Sequence, residues 1–132
     1  MEREIKFRGK RTDNGEWTYG NLFVGENGKT WILSGNNLSH FNGIWSLGCG
    51  VCEEVIPETI GQYIQLKDKN DTEIYEGDLL QIDDDDPVEV RYEETYASFG
   101  FFRMGWSFLH YFHEYIEPRE CEVVGNIYDY EL

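Results

Sequence analysis

Cations are scarce in this sequence. Eleven Lys and Arg face 26 Asp and Glu, and the formal net charge is -15 at pH 7. Such a balance keeps a chain soluble and repels phosphate backbones. Tight nucleic-acid binding needs a basic face that displaces counterions, and only Arg3, Lys6, Arg8, Lys10 and Arg11 at the start offer one. Between Asp71 and Glu94, Arg91 is the single cation. Direct nucleic-acid binding is disfavoured. No apolar run approaches the roughly 20 residues of a membrane span. The start, Met1-Glu2-Arg3-Glu4-Ile5-Lys6, lacks the apolar stretch of a signal peptide. The expected location is therefore the cytoplasm, where thiols stay reduced. Three cysteines, an odd number, agree with that, and the sequons at Asn37 and Asn70 carry no weight. Long helical periodicity is absent too, which excludes a helix bundle.

Core material is present. Of 132 residues, 40% are hydrophobic and 16% aromatic, and a chain of this length buries roughly two-thirds of its unfolded surface without metal or disulfide. Recurrent Gly and Asn clusters predict a mainly β protein of short antiparallel strands and hairpins. Strands are expected at Ile5–Arg8, Trp17–Val24 and Thr30–Leu33, with turns at Asp13-Asn14-Gly15 and Gly25-Glu26-Asn27-Gly28. Ser34–Gly50, rich in Gly, Asn and Ser, reads as a long irregular loop. Further strands follow at Ile60–Leu66, from Glu73 to Tyr75, and at Leu79–Ile82. Val88–Tyr92 alternates cleanly, with Val88, Val90 and Tyr92 on one face. It pairs antiparallel with Leu79–Ile82 across the four aspartates and Pro87. Phe99–Met104 and Cys121–Tyr128 complete the strands, and Trp106–Tyr115 has the spacing of a short helix. The expected division is an N-terminal β subdomain over 1–58, with the irregular loop, and an SH3-like small barrel with one short helix over 59–132, the two forming a single compact unit.

Four segments carry a family resemblance. They are Arg3-Glu4-Ile5-Lys6-Phe7-Arg8; Thr59-Ile60-Gly61-Gln62-Tyr63 through Leu66-Lys67-Asp68-Lys69-Asn70; Glu73-Ile74-Tyr75-Glu76-Gly77-Asp78-Leu79-Leu80; and Val123-Val124-Gly125-Asn126-Ile127-Tyr128. Together they resemble the YopX family of bacteriophages and prophages. The run Leu66–Leu80 is the most specific part. Two departures stand out. The family's central turn usually reads Asn-Gly, whereas Asp71 follows Asn70 here, and Asp tolerates the left-handed conformation at small cost. The family often ends Asn-Pro-Glu-Leu, and this chain ends Tyr130-Glu131-Leu132. The resemblance implies a phage-encoded β-rich accessory protein capable of self-association. It transfers no catalytic residues.

Several constellations invite chemistry. Cys49-Gly50-Val51-Cys52 is a C-x-x-C, which can form half a zinc site or a redox motif. Redox use needs a helix N-terminus, and none is predicted there. Zinc needs two more ligands, with Cys121, His110 and His113 the only serious candidates. Small reduced cysteines are the preferred reading. His110 and His113 would share one helix face, yet Glu114 is the only carboxylate partner at hand. The run Asp83-Asp84-Asp85-Asp86 invites calcium. An EF-hand loop starting at Asp83 puts Glu94 at the twelfth position but Val88 where the glycine belongs. A solvated hairpin tip fits better. The same acidity admits a DNA mimic, although duplex DNA carries one charge per roughly 1.7 Å and same-face strand residues sit roughly 6.6 Å apart, so several strands must contribute. The aromatics around Trp106, Phe108, Tyr111 and Phe112 suit a core plus a subunit interface. No motif for an activated nucleophile exists.

The resulting expectation is a non-enzymatic phage or prophage accessory protein in the bacterial cytoplasm, without cofactor, acting through protein contacts or homo-oligomerisation. Candidate interaction residues are Asp83 to Asp86 and Trp106, Phe108, Tyr111 and Phe112. The alternatives are an acidic inhibitor that imitates DNA at a host enzyme, and a zinc protein or metal-dependent enzyme using Cys49, Cys52, Cys121, His110 and His113.

Overall fold

The computed structural model describes residues 4–34, 38–41, 44–47, 52–82, 86–94, 97–102 and 120–129. Among them the chain is mainly β, with antiparallel pairings and a short 3-10 turn at Pro57–Thr59. It divides into two compact units, Glu2–Gln62 and Tyr63–Leu132. No helix among the described residues is long and apolar enough to cross a membrane.

In the N-terminal unit, β1 (Phe7–Lys10), β2 (Trp17–Val24), β3 (Thr30–Leu33) and β6 (Cys52–Val55) lie in the order β6-β3-β2-β1. The Asp13-Asn14-Gly15 turn forms as expected: the Arg11 N–H donates to Glu16 O at 2.9 Å, and Gly15 has φ +71°. Past its end, β1 also meets β6. Arg11 bridges Val55, Ile56 N–H donates to Lys10 O at 2.8 Å, and Thr12 N–H donates to Glu54 O at 3.1 Å. Strands β1 and β6 thus also meet at one corner. Ile32, Leu33 and Val55 of this sheet are buried, each contributing about 1.5–3 kcal/mol relative to exposure. Gly9 is required by that packing, because a Cβ on it would lie 2.9 Å from Val55 Cβ. The Thr59 hydroxyl accepts the Lys10 N–H at 2.9 Å and donates to Ile56 O at 2.7 Å, fastening the 3-10 turn to β1.

Two features depart from expectation. Ser34–Gly50 is not wholly irregular, since β4 (Leu38–Phe41) pairs antiparallel with β5 (Ile44–Leu47). Each run is only four residues long, and the surrounding Gly and Asn masked its alternation. Strand β6, Cys-Glu-Glu-Val, has no apolar alternation of its own and is set by its ladder with β3.

β7 (Gly61–Lys67) begins in the N-terminal unit, where Gly61 and Gln62 pair with Arg8 and Phe7. The C-terminal unit holds the rest of β7, then β8 (Glu73–Tyr75), β9 (Asp78–Gln81), β10 (Val88–Glu93), β11 (Ser98–Phe102) and β12 (Glu122–Asn126). Four of these form a sheet ordered β11-β10-β9-β12. The hairpin predicted across the aspartates forms, with Val88 opposite Leu80 and Glu89 opposite Leu79. Its core gathers Ile64, Ile74, Leu80, Val88, Val90, Phe101 and Cys121. β10 pairs with β11 without a register shift, so Tyr92 keeps the face of Val88 and Val90, but it is exposed and meets the Phe99 ring edge-on at 5.1 Å. The helix expected at Trp106–Tyr115 lies outside the described residues.

Candidate functional site

Carboxylates and cations are the groups this sequence offers for chemistry, and the fold assigns many of them to structural tasks. Asp68 opens the β7–β8 turn and is 1% exposed. Its Oδ1 accepts the N–H groups of Asn70 at 2.8 Å and Thr72 at 2.9 Å, and its Oδ2 accepts that of Val123 at 2.9 Å. Burial pushes the carboxyl up. The three N–H donors, helped by Lys69, outweigh it and hold the group below the ordinary carboxylate range. Asp78 is equally buried and accepts the Tyr75 N–H at 2.7 Å. Between them, Gly77 has φ +93°, donates its N–H to Val90 O and accepts the Ile127 N–H, both at 2.9 Å. The Asn126 Oδ1 then accepts the N–H groups of Tyr128 and Asp129 at 2.9 Å.

The N-terminal cations are also engaged. Arg11 forms a two-bond fork on Asp13, at 3.0 and 2.7 Å, and reaches Glu53 at 3.2 Å. Lys6 pairs with Glu4 at 3.1 Å. Arg8 is buried and sits 4.6 Å from the centre of the Trp17 ring, with the Lys10 Nζ 5.6 Å from the same ring. Cation–π contacts of this kind are worth about 0.5–2 kcal/mol. Among the described residues of the one segment able to supply a basic face, Lys6, Arg8, Lys10 and Arg11 have their charges drawn into ion pairs and ring stacking.

Strand register builds a feature that sequence reasoning missed. Lys10 lies opposite Trp17, Arg8 opposite Tyr19, and Phe23 opposite Trp31. Successive strand side chains alternate between faces, so Trp17, Tyr19, Asn21 and Phe23 share one face of β2. Tyr19 and Phe23 are 43% and 40% exposed. The β propensity of 17–24 was legible; which neighbours complete the face was not, because that depends on pairing.

Of the metal candidates, Cys52 is half-buried in β6 and Cys121 is fully buried. The Cys121 thiol is pushed up to about 11 by burial first, then by the charge of Asp68. It stays protonated at neutral pH, a poor state for a ligand or nucleophile. Among the described residues, no group of three or more His, Cys, Asp and Glu is placed to hold a metal. Asp86 is exposed before β10. Cys49, His110, His113, Asp83, Asp84, Asp85, Trp106, Phe108, Tyr111 and Phe112 lie outside the described residues.

Family comparison now bears on these joints. The profile described as YopX protein matches residues 6–131, nearly the whole chain. The chain belongs to the YopX family. A solved relative in shape, titled as the crystal structure of protein EF1440 from Enterococcus faecalis, aligns with a TM-score of 0.65 at 21% identity. That alignment covers 96% of this chain and 94% of the other. At that identity the likeness establishes the fold alone. No curated protein matches. In this YopX protein the four recognisable segments meet in pairs. Phe7 and Arg8 of the first pair with Gln62 and Gly61 of the second. Asp68 reaches Val123, and Gly77 meets Ile127, joining the second and third segments to the fourth. The family pattern marks architectural joints.

Proposed function

We propose that this YopX protein is a phage or prophage accessory protein of the bacterial cytoplasm that works by binding protein and not by catalysis. The observation that carries the reading is the outer face of β2, where Tyr19 and Phe23 stand open to solvent beside Trp17 and Trp31. Tyr and Trp dominate the energetic centres of protein interfaces, and large aromatics left in water need a reason. The carboxylates and thiol best placed for chemistry are occupied by the fold: Asp68 and Asp78 hold turns, and Cys121 packs in the core. We also read the C-terminal unit as a small barrel of the SH3 type. Its support is the pair of bonds linking the turn after β7 to β12, from Lys69 to Cys121 and from Val123 to Asp68.

The competing DNA-mimic reading loses charge in the same geometry. Asp13, Glu53 and Glu89 each pair with an arginine, and Asp68 and Asp78 are buried. The test is a Tyr19→Ser/Phe23→Ser variant, both at exposed positions, compared with the native chain. Sedimentation across a concentration range, and recovery of partners from infected cells, are the readouts. Association that the variant loses supports the reading. A native chain that is strictly monomeric, and retains the same partners in the variant, overturns it.

A further inference from the structure

Two Asn-Gly pairs lie in the described turns, and the fold treats them differently. Asn14-Gly15 lies between β1 and β2, and Asn27-Gly28 between β2 and β3. A third pair, Asn42-Gly43, lies outside the described residues. Much is shared by the first two. All four residues are exposed, the glycines have φ +71° and +82°, and a Cβ built on either would meet nothing within 4 Å. Each glycine N–H donates to a main-chain carbonyl at 3.0 Å, Gly15 to Arg11 and Gly28 to Gly25. Each asparagine Oδ1 accepts the N–H two residues on, from Glu16 at 2.9 Å and from Lys29 at 3.0 Å. The side-chain NH2 groups part company. Asn14 Nδ2 donates to Glu16 Oε2 at 3.4 Å, in a turn also stapled by the Arg11–Asp13 fork. Asn27 Nδ2 has no partner among the described residues. The charges differ as well. A carboxylate sits against the Asn14 amide, whereas Glu26 and Lys29 flank Asn27-Gly28 with exposed charges of opposite sign.

We propose that Asn27-Gly28 is a site of spontaneous modification, at which the asparagine becomes aspartate and isoaspartate ahead of Asn14. The attacking atom is the Gly28 nitrogen, after its proton has passed to hydroxide. It bonds to Asn27 Cγ, whose oxygen the Lys29 N–H polarises, and Nδ2 takes a proton from water and leaves as ammonia. The product is a cyclic imide. Water then opens it. Cleavage of the nitrogen's bond to Cγ leaves aspartate, and cleavage of its bond to the main-chain carbonyl carbon leaves isoaspartate. The sum is water in and ammonia out, with no change of oxidation state. Glycine matters because a Cβ at that position would shield the nitrogen. At Asn14 the ring closes less readily. The departing NH2 is held by Glu16, and the nitrogen must become an anion next to that glutamate in the chain. Either product at Asn27 adds negative charge, and isoaspartate lengthens the main chain inside the loop that Gly25 N–H closes on Lys29 O at 2.8 Å. The inference needs nothing from the β2 aromatics, so either can fail alone.

The test holds the full native chain folded at mildly alkaline pH and samples it over days. Peptide mass mapping reads amide-to-acid conversion at each asparagine, and chromatography separates aspartate from isoaspartate. Asn27 should convert at least about twofold faster than Asn14, the low end of what one hydrogen bond contributes. Glu16→Ala frees the Asn14 amide and should bring its rate up toward that of Asn27. In urea with added salt, where the turns are gone, the two native rates should converge. Folded Asn14 converting as fast as Asn27, or no conversion at Asn27, overturns the proposal. A lead for Asn27 that persists unchanged in urea also overturns it, because the fold is then not the cause. An unchanged Asn14 rate in Glu16→Ala refutes the restraint by Glu16. Should that variant not fold, the native chain and its urea comparison decide.

Discussion

Replacing Gly77 by alanine tests the joint between the central and C-terminal family segments most directly. At φ +93° an L side chain is strained, which costs about 1–3 kcal/mol. The added Cβ would also lie 2.9 Å from Tyr128 Cε2. The ring cannot simply follow the chain away, since the Tyr128 N–H is fixed to Asn126. Nor can the backbone relax freely, because bonds to Val90 and Ile127 hold Gly77 on both sides, each worth about 0.5–1.5 kcal/mol. The sum is a destabilisation of about 2–4 kcal/mol, a large share of the 5–15 kcal/mol typical of a domain. With a urea slope of about 1–3 kcal/mol/M, the midpoint followed by circular dichroism should fall by about 1–2 M. The Gly77→Ala/Tyr128→Ala pair should show a coupling of about 1 kcal/mol, since removing the ring relieves the contact but not the φ strain. A single variant within about 0.5 kcal/mol of the native chain refutes this account.

Asp68 makes stability depend on acid. Its folded carboxyl lies below the unfolded value of about 3.9, so the folded state binds fewer protons. Its contribution is complete above that value and is lost as pH falls through the lower folded one. The urea-midpoint gap between native chain and Asp68→Asn should hold from pH 7 to 5 and narrow below about pH 4; a gap constant down to pH 2 contradicts it. Asp71→Gly, at φ +66°, should stabilise by about 0.5–1 kcal/mol, with no gain or a loss in the urea midpoint as the contrary result. Thiol labelling at pH 8, read by peptide mass, should mark Cys52 in the native protein and spare Cys121 until unfolding. Early Cys121 modification would show that its burial is wrong.

The sequence discloses local structure where a single strand carries its own pattern. Trp17–Val24, Thr30–Leu33 and Val88–Tyr92 announce themselves by β-rich composition or alternation, and the strands form there. Asp71 is a residue type that tolerates the left-handed conformation, and its φ of +66° lies there. What stays hidden is set by partners distant in sequence. Cys52–Val55 becomes a strand only because Leu33 and Thr30 lie beside it. Asp68 reads as an ordinary turn residue, yet its second oxygen serves Val123, fifty-five positions on. Tyr92 follows the alternation of Val88 and Val90 yet stands exposed near the end of its strand, and alternation alone does not say where burial stops. The β2 face needs registers of two strand pairs before its aromatics and cations become one surface.

The same distinction separates family identity from function. Of the residues that make this chain recognisable, Asp68, Gly77, Asp78 and Asn126 are each consumed by main-chain bonds or close approach. Such positions are constrained because a backbone turns there, whatever the protein binds. Their agreement with a family pattern therefore reports a shared skeleton and is silent on partners. Tyr19 and Phe23 lie under the opposite constraint. The fold would stand with polar residues at both, so their apolar character asks for a cause outside the fold. Activity in this protein is best pursued at those side chains, by substitutions that leave the joints untouched.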